Sequence, residues 1–185
     1  MRFVSRCRPV MGAMAVLVTL ALSGCTRQPA APLPSTTTTD APVFASDAEA
    51  LAAATAAYAA YQEMSSLIGH EGGSLPERMS RVSAGEALES ETASFVDMAS
   101  KGLRGVGELA FDSLTVQSAD LSTGMIQAYL CLDVSKTDVV DANGESSIPA
   151  DRATRFPLHV NFVLDTAAQK LIVDTSESWS GKNFC

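Results

Sequence analysis

The chain has 185 residues, 46% of them hydrophobic, with 13 basic against 21 acidic residues and a formal net charge of −8. An acidic chain without clustered Lys and Arg is excluded as a binder of nucleic acid or of anionic lipid, since both need a basic patch. Its four cysteines lack the paired Cys and His spacing of a zinc site.

The first 24 residues read as an export signal. Arg2, Arg6 and Arg8 form the positive region, Met11 to Leu22 the apolar run, and Ser23 and Gly24 lead to Cys25. The apolar run is too short for a comfortable membrane span. Leu22-Ser23-Gly24-Cys25 resembles the lipobox of bacterial lipoproteins, in which the cysteine receives a diacylglyceryl group and becomes the first residue of the mature chain. The resemblance implies lipidation at Cys25 and a place on the extracytoplasmic face of the cell membrane, because two acyl chains anchor stably where one is marginal. A plain signal peptide with a chance cysteine, or an uncleaved anchor, is the weaker alternative, because the charged, apolar and small-residue regions occur in order.

Without residues 1–24 the balance becomes 10 basic against 21 acidic residues, a charge of −11. Such a charge keeps an exported domain soluble. Cys7 leaves with the signal and Cys25 is taken by lipid, so Cys131 and Cys185 remain as a pair in an oxidising compartment. A disulfide between them would close a long loop and stabilise the fold by about 4 kcal/mol on chain-entropy grounds.

Residues 25–45 read as a linker, with Pro29, Pro32, Pro34, Pro42 and a Ser35 to Thr39 polar run. The domain, 46–185, opens with the capping-box pattern Ser46-Asp47-Ala48-Glu49 before a helix to about Leu67. Leu51, Ala54, Tyr58, Tyr61, Ser65 and Ile68 share one stripe of it. Ser74-Leu75-Pro76-Glu77 starts a short helix to about Val82. Ser83-Ala84-Gly85-Glu86 starts a third, with Leu88, Thr92, Phe95 and Ala99 facing inward, which stops at Gly102.

From Glu108 onward the period is that of strands. Glu108 to Gln117 changes phase, which predicts a bulge near Asp112. Gly124 to Ser135 alternates, with Ile126, Ala128, Leu130, Leu132 and Val134 on one face and Tyr129, Cys131 and Asp133 on the other. Lys136 to Asp141 and Glu145 to Ile148 flank Asn143-Gly144, a hairpin signal. Arg155 to Asp165 turns Phe156, Leu158, Val160, Phe162 and Leu164 to the core, and Lys170 to Trp179 is the last strand. Three helices followed by antiparallel strands give an α+β domain with its helices on one face of the sheet.

This order, with Gly102-Leu103-Arg104-Gly105-Val106-Gly107, Cys131-Leu132-Asp133-Val134-Ser135, Val139-Val140-Asp141-Ala142-Asn143-Gly144 and the terminal Ser180-Gly181-Lys182-Asn183-Phe184-Cys185, resembles the NTF2-like (cystatin-like) superfamily as found in actinobacterial lipoproteins. The resemblance implies three N-terminal helices packed on a curved antiparallel sheet, a cone, and allows a homodimer through the open sheet. It names no function, because this fold hosts isomerases, dehydratases, transport factors and interaction modules alike.

The strand residues assigned to the concave face are all apolar, so no acid or base is expected on it. Tyr58, Tyr61, Leu130 and Phe162 are candidate lining of a pocket there. Asp133, His159, Tyr129 and Asn161 fall on the opposite face and read as surface residues. His70, in Gly69-His70-Glu71-Gly72-Gly73, reads as part of a helix-ending turn. Gly105-x-Gly107-x-x-Ala110 precedes a strand, where a dinucleotide fingerprint must follow one and open a helix. No cofactor, metal or catalytic motif is found. The expectation is therefore a lipid-anchored, non-catalytic binding module for an envelope protein or a small apolar ligand. The alternatives are an isomerase- or cyclase-type enzyme and an accessory factor of cell-wall synthesis.

Overall fold

The computed structural model of the protein describes residues 41–185. The signal-like segment, Cys25 and most of the expected linker lie outside the described residues. The fold is α+β, with helices N-terminal to a curved antiparallel sheet in the NTF2-like arrangement.

Helix α1, Asp47–His70, starts at the expected cap: Ser46 is extended and its Oγ accepts from the Glu49 N–H at 3.2 Å. The Glu49 carboxylate turns back to the Ala45 N–H at 2.7 Å. The helix runs three residues past the expected end at Leu67. Its buried stripe is Ala50, Ala54, Tyr58, Tyr61 and Ile68, while Leu51, expected inside, is exposed. The chain packs even before this cap: Phe44 is buried, and its N–H reaches the Leu121 carbonyl at 3.1 Å, inside the segment expected to be linker.

The second and third helical caps are corrected by the structure. Ser74 Oγ donates to the Glu71 carbonyl and Leu75 takes a left-handed conformation, so Pro76–Arg81 is a 3-10 helix without a side-chain cap. Ser83 is buried, donates to the Met79 carbonyl at 2.9 Å, and bridges Val173 through its backbone. Sheet pairing uses Ser83 before it can cap, and α2, Gly85–Ser100, starts behind Ala84. Its inward residues are Ala87, Leu88, Glu91, Phe95 and Met98, and Ala99 is exposed. Gly73 joins the two helices. At φ +78° it passes so close to α2 that a Cβ would stand 2.2 Å from the Phe95 carbonyl oxygen.

The main sheet has the order β2-β3-β5-β6, all antiparallel: β2 Ala110–Asp120, β3 Met125–Asp133, β5 Arg155–Asp165 and β6 Lys170–Ser178. The register of β2 on β3 shifts between Asp112 and Thr115, where Ser113 has φ 56°, which is the expected bulge. Two short strands form a pair that the sequence pattern does not announce: β1, Arg104–Gly107, lies beside β4, Thr137–Val140. The expected strand at 145–148 is reduced to one bridge, Val140 to Ser146. The Asp141 carboxylate instead closes the Asn-Gly turn, accepting from the Asn143 and Glu145 N–H groups at 2.8 and 2.9 Å.

Ile126, Ala128 and Leu130 of β3, Val160 and Phe162 of β5 and Val173 of β6 are buried against α1 and α2. On the other face Cys131 is joined to Cys185, with Cα atoms 5.7 Å apart. The Tyr129 ring lies there among His159, Trp179 and Phe184, at centroid distances of 5.1, 5.0 and 6.2 Å. Arg155 ties the tail further, donating to Asp112 at 2.6 Å and to the Cys185 carbonyl at 3.2 Å. Hydrogen bonds from Arg155 and Ser113 hold the Asp112 carboxyl at about 2, so this tie persists well into acid before it is lost.

Two outcomes follow from this packing. Replacing Cys131 and Cys185 together by Ser lowers stability by about 4 kcal/mol in urea titration, given the loop they close; an unchanged midpoint would contradict the staple. Gly73→Ala costs roughly 2 kcal/mol or more, because it adds a clash to a left-handed backbone. A neutral effect would mean that the turn moves freely away from α2.

Candidate functional site

The acid that the strand pattern does not supply to this cavity comes from α2. Glu91 falls between Leu88 and Phe95 on the inward stripe, half-buried, and reaches α1 across the helix seam. Tyr61 Oη donates to Glu91 Oε1 at 3.0 Å and Ser65 Oγ donates to Oε2 at 3.2 Å. Further back along α1, Tyr58 is fully buried, with its ring 4.8 Å edge-on from Phe111 and 5.7 Å from Tyr61. Gln62 Nε2 donates to the Tyr58 hydroxyl at 3.3 Å, while Gln62 Oε1, also buried, has no partner.

These groups wall a cavity of about 180 Å³. Its apolar side is Leu109, Leu132 and Leu158, and Ser90 and Ser176 add hydroxyls. No Lys, Arg or His lines it, and none of the ion pairs among the described residues includes Glu91. Burial therefore pushes the Glu91 carboxyl above its ordinary value, and the Tyr61 and Ser65 hydrogen bonds only partly oppose that. Burial also pushes Tyr58 up to about 12 and raises Tyr61, where the Glu91 charge adds to the effect. Both tyrosines are neutral hydrogen-bond donors throughout the physiological range.

Of the four residues expected to line a pocket, Tyr58 and Tyr61 do so. Leu130 and Phe162 are packed core and do not line this cavity. Tyr129 and His159 stack on the opposite sheet face, Asp133 accepts from the Ser135 N–H, and Asn161 donates to Thr175, so these four do not converge. His70 ends α1, with Nε2 2.8 Å from the Gly107 carbonyl oxygen, and ties the helix to β1. Gly105 and Gly107 lie in β1 and open no helix. A larger groove of about 620 Å³ lies between residues 41–44, the alanines of α1 and the β5–β6 turn; its walls are mostly carbon.

Glu91 escapes a sequence reading that follows a strict step of three or four residues through Leu88, Thr92, Phe95 and Ala99. The spacing Leu88, Glu91, Phe95, Met98 fits a helical face equally well and carries a charge in its middle, which is the available signal.

No protein-family model matches the chain, and no curated protein matches it. Among solved structures, the intermembrane space region of the chloroplast protein ARC6 is similar at 16% identity, covering 71% of this chain and 97% of that one, with a TM-score of 0.50. A protein from Catenulispora acidiphila is 12% identical over 69% of this chain and 91% of its own, with a TM-score of 0.45. Aln2 from a Streptomyces species is 17% identical over 69% of this chain and 87% of its own, with a TM-score of 0.43. The first of these likenesses supports the fold and nothing beyond it.

A raised Glu91 binds its proton more tightly in the folded than in the unfolded chain, where glutamate titrates near about 4.3. Stability therefore falls as pH rises from that unfolded value through the folded one. Glu91→Gln should be more stable than the parent chain above this window and about equal to it below. Urea titrations of both chains at about pH 3.5 and about pH 8 measure this. A variant weaker than the parent at both values would show that the hydrogen bonds to the carboxylate outweigh its burial.

Proposed function

We propose that the protein is a lipid-anchored, extracytoplasmic binding module that is not catalytic, tethered through Cys25 by a Pro- and Thr-rich segment. The observation that carries the binding reading is the concave cavity itself. At about 180 Å³ it is smaller than the roughly 300–1,000 Å³ of pockets that enclose drug-sized ligands. Its one carboxylate is already held by Tyr61 and Ser65. Serine and tyrosine hydroxyls stand beside Glu91, but no Lys, Arg or His and no second carboxylate lines the cavity to share acid–base work. Such a cavity suits a small ligand or stiffens the seam behind a partner surface, in place of turning over a substrate.

One observation favours a second reading, an isomerase- or cyclase-type enzyme. Glu91 is a half-buried carboxylate with a raised affinity for protons, which is how a general base is prepared in an apolar pocket. The expected small apolar ligand is less well supported than a polar one, since hydroxyl, amide and carboxylate groups make up much of the cavity wall.

The anchor and the partner are tested together on intact cells. Cys25→Ser abolishes lipid labelling and membrane retention, and crosslinking of the parent chain followed by mass spectrometry recovers one or more envelope proteins that the soluble variant fails to recover. Unchanged labelling of Cys25→Ser would remove the lipid anchor from the account.

A further inference from the structure

Among the described residues, the Glu91 carboxylate in this cavity has no counter-ion and the buried Gln62 acceptor has no donor. Each Glu91 oxygen uses one lone pair, on Tyr61 and on Ser65, and keeps another free. Gln62 is more than nine-tenths buried, lines the same cavity, and its Oε1 is unpartnered. The Tyr58 and Tyr61 rings stand at the same wall. An unpaired half-buried carboxylate and an orphaned buried carbonyl both cost free energy, and both costs are relieved by one kind of guest, a compact donor carrying positive charge. Aromatic rings favour the same guest through their negative faces. The net charge of −8 adds attraction for cations at long range.

We propose that this cavity is a binding site for a small primary ammonium compound, with Glu91 as its counter-ion and Gln62 Oε1 as a second acceptor. The proposal rests on the reading of the domain as a binding module and replaces the apolar ligand expected from sequence with a cationic one. Size sets a limit on the guest: the cavity admits a short alkylammonium or amino alcohol and not a peptide side chain with its backbone. Anions are opposed by Glu91, and neutral alcohols satisfy Gln62 but leave the charge unpaired.

The test uses the Ser46–Cys185 domain within the full chain, its tyrosine rings labelled for NMR. Propylamine, propan-1-ol and propionate are titrated separately at low salt. Propylamine should shift the Tyr58 and Tyr61 ring signals saturably, at least tenfold more tightly than propan-1-ol, with propionate inactive. Glu91→Gln should weaken propylamine at least tenfold while the dispersed ring signals of a folded domain persist, with the Tyr61 ring shifted by loss of its carboxylate partner. Tyr61→Phe, which frees one carboxylate lone pair and keeps the ring, should retain binding. Equal affinity for amine and alcohol, no binding of the amine, or an unchanged affinity in Glu91→Gln would each overturn the cation site. If propan-1-ol or propionate binds in place of the amine, the binding-module reading stands and only this inference falls.

Discussion

A carboxylate set between two helices, with no counter-ion among the described residues, is the arrangement on which the interior of this domain turns. Glu91 is tolerated there because α1 presents Tyr61 and Ser65, four residues apart and so on one face, at hydrogen-bond distance from both of its oxygens. That match needs the helices in one relative position. Gly73 supplies it, since only a residue without Cβ lets the turn after α1 lie against the Phe95 carbonyl. The backbone of residues 82–84, hydrogen-bonded to Val173, fixes where α2 begins. The seam is therefore set at both ends before any side chain is chosen within it.

The two faces of the sheet do different work. The face toward the helices is apolar and packed, with Leu130, Val160 and Phe162 in one core with Tyr58 and Tyr61. The outer face is held by covalent, aromatic and ionic contacts converging on the last residues of the chain: the Cys131–Cys185 bond, the Tyr129 ring cluster and Arg155. Hydrophobic burial alone is available to only one side of an open sheet, so a tail fastened across the other side protects it. The polar residues singled out from sequence, Asp133, His159 and Asn161, belong to this outer layer.

Much of the fold was legible because its signals are local. The Ser46 cap, the alternation of Arg155 to Asp165, the bulge near Asp112 and the pairing of the last two cysteines each depend on a few neighbouring residues or on simple counting. The errors arise where a distant strand competes for the same atoms. Ser83 has the sequence of a cap but is taken by β6, and Arg104–Gly107 looks like a glycine-rich connection until β4 lies beside it. Glu91 is the most instructive case. A charged residue on an inward stripe is discounted by hydrophobic pattern, and only the facing Tyr61 and Ser65 explain why it is there.

The most direct test is the titration of Glu91 itself, followed through its side-chain carboxyl carbon by NMR in the folded chain. The account predicts a midpoint above the ordinary glutamate value of about 4.3, with the Tyr61 ring and Ser65 signals moving at the same pH. A midpoint at or below that value, or a Glu91 step that leaves Tyr61 and Ser65 unmoved, would contradict it.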